Sequence, residues 1–142
     1  MNKHTEIIEK LIYSFNKINE QSKKSRDYGT GHLLHQAEIH AIQAVKNHSQ
    51  ANASELAKVL GITNGAVTQV IGKLKKKDFV DKYYLNNNRK EVYFKLTKEG
   101  EVAFKGHEKH HQEMNSKVLK YLDGLENDKI KVINDFFDKF NE

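Results

Sequence analysis

At 142 residues and 37% hydrophobic content, the chain is expected to form a single domain with a lean core. It has no cysteine, which excludes disulfides, thiolate metal sites and cysteine-based redox sensing; it has no proline, which suits a helical chain with short connections. No apolar run approaches membrane-spanning length and no signal-peptide pattern opens the chain, so a soluble, cytoplasmic protein with no membrane partner is expected, at a net charge of +5.

In chain order, Ile7, Ile8, Leu11, Ile12, Phe15 and Ile18 recur at three- and four-residue spacing and predict a helix over about 5–23. Residues 25–31 read as a loop, with Tyr28, Gly29, Thr30 and Gly31 supplying turn chemistry. A second helix over about 36–47 turns Ile39, Ile42 and Val45 inward. Asn52 with Glu55 three residues on is a capping-box pattern that opens a third helix, and Gly61 can end it in the left-handed conformation. Thr63 then caps a fourth helix running to about Lys77, so only Gly61, Ile62 and Thr63 separate the two, the length of a helix-turn-helix connection. Residues 80–85 and 91–96 read as strands, the second with Val92, Phe94 and Leu96 on one face, and Asn86, Asn87 and Asn88 as the hairpin tip. Thr97 caps a long helix to about Leu122, Asp123 and Gly124 break it, and a last helix over about 127–140 carries Ile130, Val132, Ile133, Phe136, Phe137 and Phe140. The fold class is mainly α with a small β wing: a winged helix-turn-helix between terminal helices. Those helices have more apolar residues than a small winged domain covers, which points to a dimer interface made from both chain ends.

The charge is placed unevenly. Between Thr63 and Lys98 stand nine basic residues (Lys73, Lys75, Lys76, Lys77, Lys82, Arg89, Lys90, Lys95 and Lys98) against Asp78, Asp81 and Glu91. That segment holds the whole positive excess. A solvated helix face explains many lysine runs, but coincidence with a helix-turn-helix and a hairpin favours a polyanion, because phosphate contacts require local basic density.

The order of elements resembles the MarR family of transcription regulators. The likeness is carried by Leu34–Ile39, Ser54–Ile62, Ala66–Leu74 and the wing exit from Lys95 to Gly100. It implies one domain over 1–142, with 1–35 and 101–142 as dimerisation helices and 36–100 as the DNA-binding lobe. It further implies a homodimer on double-stranded DNA, with two recognition helices about one DNA turn apart on a near-palindromic operator, and repression as the default. Two positions depart from the family pattern. Asp78 stands where glycine is frequent, and Asn88, Arg89 and Lys90 replace an Asp-x-Arg pair in the wing.

On that resemblance the fourth helix is the recognition helix, begun by Thr63, Asn64 and Gly65. Thr68, Gln69 and Lys73 fall on its outer face, away from Val67, Val70, Ile71 and Leu74. Gln69 suits an adenine edge and Thr68 a thymine methyl. Lys73, Lys75, Lys76 and Lys77 are expected to meet phosphates, and Arg89 and Lys90 the minor groove.

Eight histidines are many for this length. His107 and His111 are four apart and share a helix face, so both can point at one metal, although such a pair on a polar helix is also ordinary solvated surface. His40 lies on the second helix. In the zinc-responsive branch of the MarR family, three histidines hold metal at the positions matching His40, His107 and His111. Glu20, Asp27 and His32 are candidates for a further ligand. Imidazoles with a carboxylate and no thiolate favour Zn²⁺. A small organic effector such as an aromatic acid, lined by Tyr28, His40 and His107, is the competing signal, and regulation without a ligand a third. There is no phosphate loop, nucleophile elbow, dinucleotide fingerprint or His-Glu-x-x-His motif, so no enzyme is expected. A winged module for protein contacts or general DNA architecture is the non-regulatory alternative.

Overall fold

Helix formation begins at Asn2, whose side chain accepts the Thr5 N–H at 2.8 Å and caps α1 (Lys3–Ser22) in the computed structural model, which describes residues 2–142. The helix therefore starts two residues earlier than its apolar spacing implies. No residue of α1 is buried, and Ile7, Ile8, Ile12, Phe15 and Ile18 are exposed. The segment that follows is more ordered than a plain loop. Asp27 Oδ1 accepts the N–H groups of Gly29, Thr30 and Gly31 at 2.8, 3.0 and 3.1 Å. That closed turn lets β1 (Arg26–Asp27) pair antiparallel with β2 (Leu33–Leu34), and Gly29 and Gly31 supply the positive φ it needs.

The core sits under α2 (Gln36–Asn47), α3 (Ala53–Leu60) and α4 (Asn64–Lys76), which pack against one another. Ile39, Ala41, Ile42, Ala44 and Val45 of α2 are buried, with Leu56 and Ala57 of α3 and Val67, Val70, Ile71 and Leu74 of α4. Both helices of the helix-turn-helix end in the same way. Gly61 takes a left-handed conformation at φ 67°, and the Ile62 N–H returns to the Ala57 carbonyl at 3.1 Å. At the end of α4, Asp78 takes that role at φ 65°, the Phe79 N–H returning to Leu74 O at 2.9 Å and the Asp78 N–H to Lys75 O at 3.1 Å. The turn is thus made without glycine, and the aspartate tolerates it.

Strands β3 (Val80–Leu85) and β4 (Asn88–Leu96) form the wing, in the register Val80↔Leu96 to Tyr83↔Tyr93, with an irregularity between Tyr83 and Leu85. Asn86 and Asn87 are left-handed, at φ 50° and 59°, and make a two-residue tip. Asn88 pairs with Leu85, so β4 begins three residues before the predicted strand. Thr97 then does two things at once: its hydroxyl donates to Asp78 O at 2.6 Å and accepts the Gly100 N–H at 3.1 Å, opening α5 (Lys98–Asp123). Gly100 is required because a Cβ there would run into the Phe79 carbonyl oxygen. After Gly124 the chain enters α6 (Asn127–Phe140), none of whose residues is buried.

The chain divides into two compact units, 1–107 and 108–142. The first holds the whole buried core, including Leu34, Phe79, Val80 and Ala103. The second holds the rest of α5, with Val118, Leu119 and Tyr121 exposed, and α6, with Val132, Phe137 and Phe140 exposed. Among the described residues no helix is long and apolar enough to cross a membrane. The mainly helical winged fold is as expected; the N-terminal hairpin and the longer β4 are additions to it.

A residue with a Cβ in the left-handed region costs roughly 1–2 kcal/mol, less for aspartate. Replacing Asp78 by glycine is therefore expected to raise unfolding stability by about 0.5–1 kcal/mol, read as a higher urea midpoint at unchanged slope. A lower midpoint would show that the Asp78 side chain stabilises the turn.

Candidate nucleic-acid interface

α4 is two-faced. Its apolar positions are buried, while Asn64, Gly65, Thr68, Gln69, Gly72, Lys73, Lys75 and Lys76 are exposed. Thr63 caps it, its hydroxyl accepting the Ala66 N–H at 3.1 Å. No acidic residue lies in the first turn, so the positive end of the helix dipole is not neutralised there. The basic residues fall in the last turn, where they also suit the dipole. Thr68 donates its hydroxyl proton to Asn64 O at 3.0 Å. Gln69 makes no hydrogen bond from its amide to any described residue and stands ready for an external partner.

The wing adds a second basic projection. Its tip is stiffened by Asn88 Oδ1, which accepts the Lys90 N–H at 3.0 Å. The Arg89 guanidinium lies 6.0 Å from the centre of the Tyr84 ring, and Lys95 Nζ 5.9 Å from that of Tyr83. The projection is tied to α3 part-way along β4: Asn52, whose Oδ1 caps that helix on the Glu55 N–H, also donates from Nδ2 to Glu91 Oε2 at 3.0 Å. One side chain therefore holds both the start of the helix-turn-helix and the wing.

Lys77 departs from expectation. Rather than standing free for phosphate, its ammonium donates to Glu38 Oε2 at 2.8 Å, and Glu38 is only 3% exposed. Burial alone would raise the Glu38 pKa, but the Lys77 hydrogen bond, the His35 N–H and the nearby positive charge overcome it and hold the carboxyl below its usual range. The signal was present in the sequence: Glu38 sits at the spacing of Ala41 and Val45 on the inward face of α2. The Asn52–Glu91 and Asp27 contacts had no such signal.

Of the residues expected at a metal, the structure brings two together. The rings of His40 and His107 lie 5.8 Å apart, with Tyr28 edge-on to His107 at 5.4 Å, and His107 is 4% exposed. His107 ends the first unit; His111 follows one helical turn later in the second, where it is exposed and its ring lies 6.0 Å from that of His110. The further candidates are otherwise engaged or exposed. Glu20 is exposed on α1, the Asp27 carboxylate is taken up by three backbone N–H groups, and His32 stands edge-on to Phe79 at 5.9 Å. Among the described residues no group of three or more His, Cys, Asp or Glu is arranged to hold a metal, so the donors fit a zinc site in part only.

Comparison with known proteins agrees with this geometry. Residues 34–92 match the MarR family model. The HTH-type transcriptional regulator PchR of Bacillus subtilis (strain 168) is 33% identical over 101 residues, 71% of this chain and 60% of PchR. The chain thus spans about 60% of the length of the curated relatives it matches. Among solved structures, Streptococcus pneumoniae FabT in complex with DNA superposes with a TM-score of 0.75 at 24% identity, over 98% of this chain and 95% of FabT. The zinc-responsive MarR family member ZitR of Lactococcus lactis superposes with a TM-score of 0.74 at 19% identity, over 96% of each chain. These two likenesses are likenesses of fold.

Asp27 is also held below the ordinary carboxylate range, first by the Gly29 N–H, against burial, and then by those of Gly31 and Thr30 and the His32 charge. A depressed folded-state pKa stabilises above the unfolded-state value and ceases to do so as pH falls through the folded one. Stability is therefore expected to fall from about pH 5 to about pH 2. The Glu38→Gln variant is expected to show a shallower fall in urea midpoint over that range, and an equal slope would remove Glu38 from the linkage.

Proposed function

As the chain belongs to the MarR family, we propose that it is a sequence-specific DNA-binding transcriptional regulator, acting as a homodimeric repressor on a near-palindromic operator. The observation that carries this reading is the exposed face of α4, where Thr68, Gln69 and Lys73 stand opposite a fully used apolar face and lysines fill the last turn. In this reading Gln69 and Thr68 meet base edges in the major groove. The first turn, with Thr63, Asn64 and Gly65, approaches a phosphate. Lys73, Lys75 and Lys76 neutralise phosphates, and Arg89 and Lys90 enter the minor groove beside it. The exposed apolar stripes of α1 and of α6 are each covered by a second copy, which sets two α4 helices about 34 Å apart. Residues 1–35 and 101–142 serve dimerisation in this reading, and 36–100 the DNA.

The signal is proposed to be zinc, sensed at His40 and His107 with His111 one turn further along α5. The closeness of two imidazoles, one of them buried, supports it. When bound, zinc would supply a cross-link between ligating imidazoles, and it can favour the DNA-binding conformer only by binding that conformer more tightly. An organic effector has support in an open cleft of about 340 Å³ that shares His40, but neither Tyr28 nor His107, with the expected pocket and is otherwise lined by Gln43, Asn47, His48, Val59 and Leu60. The two signals separate by footprinting the chain's own upstream region. Protection that strengthens with zinc supports the metal, and protection indifferent to chelator but lost with a small acid supports the effector. Equal affinity for random and operator duplex would replace both by an architectural role.

Arg89→Ala is expected to weaken operator binding without a change in urea midpoint. Losing one cation from the DNA-bound surface per protomer removes two per dimer and lowers the slope of log K against log salt by about 2. Gln69→Ala is expected to cost operator affinity about tenfold while leaving random duplex alone. An unchanged gel shift for either would count against that residue. His107→Ala is expected to abolish stoichiometric zinc in the purified protein, measured by elemental analysis; zinc retained at the wild-type ratio rules His107 out.

A further inference from the structure

Glu38 is a buried carboxylate that the reading above does not use. Both its oxygens are engaged: Oε1 accepts the His35 N–H at 3.1 Å and Oε2 the Lys77 ammonium at 2.8 Å. Taking a carboxylate out of water costs several kcal/mol, and pairing it with a lysine whose side chain is 38% exposed recovers little of that as net stability. What such a pair supplies is geometry, because a charge-assisted hydrogen bond tolerates far less sliding than an apolar contact. Here it joins the first turn of α2 to the residue that closes α4. Among the described residues, Lys77 is also the one lysine of the run from Lys73 to Lys77 that forms an ion pair.

The lever arm is short but sufficient. Gln69 lies eight residues before Lys77, about 12 Å along the helix axis at 1.5 Å per residue. A tilt of about 5° at the closing end would carry Gln69 about 1 Å, enough to spoil a paired hydrogen bond to a base. The same end is gripped from two other sides, by the Thr97 hydroxyl on Asp78 O and by His32 against the Phe79 ring. Those grips act on Asp78 and Phe79, whereas Lys77 is the cap residue, its own N–H bonded to Lys73 O in the final turn.

We propose that Glu38 and Lys77 are positioning residues for operator recognition: their ion pair sets the tilt of α4 on α2, so both govern sequence-specific affinity without touching DNA. This rests on the DNA-binding reading, and the test keeps the two apart. Glu38→Gln, Lys77→Met, the double variant Glu38→Met with Lys77→Met, and Lys76→Met as a phosphate-contact control are compared on two duplexes over a salt series. One duplex carries the protected upstream segment and the other is random. Urea midpoints are measured alongside.

Each single variant is expected to lose about tenfold in operator affinity, with random-duplex affinity unchanged. The double variant is expected to be no worse than either single, since the two side chains act as one unit. The salt slope stays at its wild-type value in Lys77→Met, while Lys76→Met lowers it by about 2 and weakens both duplexes alike. The double variant, which leaves no buried charge, keeps a wild-type urea midpoint yet shows the same roughly tenfold loss of operator affinity. If Glu38→Gln unfolds, the stable double variant decides the matter. The inference is overturned if Lys77→Met lowers the salt slope and weakens both duplexes equally, if the single losses add, or if the stable double variant keeps full operator preference. Wild-type protein that binds neither duplex overturns the DNA-binding reading and this inference with it.

Discussion

The first unit depends on how the chain leaves α4. Within Asp78 and Phe79 it must end a helix, reverse, and start a strand, while presenting two carbonyls to the start of α5. Phe79 is fully buried, its N–H closes the helix on Leu74, and its carbonyl accepts the Thr97 N–H at 3.0 Å. Asp78 O takes the Thr97 hydroxyl. These two residues thus fix the end of α4, the root of β3 and the first turn of α5 together. Gly100 follows as a steric consequence, because α5 crosses so close to Phe79 O that a side chain has no room. The left-handed Asp78 is the strain that this junction carries.

A rigid junction explains why the basic surface can be built from flexible side chains. Lysines that meet phosphate need only be near, but a glutamine that reads a base must be placed to within a fraction of an ångström. In the proposed reading that placement comes from backbone and buried groups: the Thr63 cap at one end of α4, the Asp78 turn and the Glu38–Lys77 pair at the other, and Asn52 holding the wing through Glu91. Five positions of the surface run, Lys73, Lys75, Lys76, Arg89 and Lys90, then supply charge with little demand on their own geometry.

Much of this was legible because the governing signals are local. The Asn52 cap, the Gly61 turn, the Thr63 cap and the Asn86–Asn87 tip each depend on residues within four positions, so spacing alone places them. The two faces of α4 follow from helical periodicity. What was not legible is non-local. Nothing near Lys77 in sequence says that its ammonium reaches a residue 39 positions earlier, and nothing near Asn52 points to Glu91. The N-terminal hairpin was missed for another reason: strands of two residues carry no period, and its order comes from one carboxylate gathering three N–H groups. The His40–His107 pair was foreseen by matching positions; its edge-on Tyr28 partner was expected only as pocket lining.

The lean composition finds its explanation in what the two units leave uncovered. α1 buries no residue and exposes five large apolar side chains on one stripe, from Ile7 to Ile18; α6 buries none and exposes Val132, Phe137 and Phe140. A capped helix of 20 residues has no reason to space isoleucines and a phenylalanine so regularly for water, since each exposed side chain forgoes about 1.5–3 kcal/mol of burial. Such a stripe is stable only against another apolar surface, and in the proposed homodimer a second copy of the chain supplies one of matching chemistry. A chain that leaves this surface for its partner needs fewer apolar residues inside. In the arrangement proposed above, the dimer spacing and the tilt of α4 are separate variables: the terminal helices set the first, and the junction at Asp78 with the Glu38–Lys77 pair sets the second.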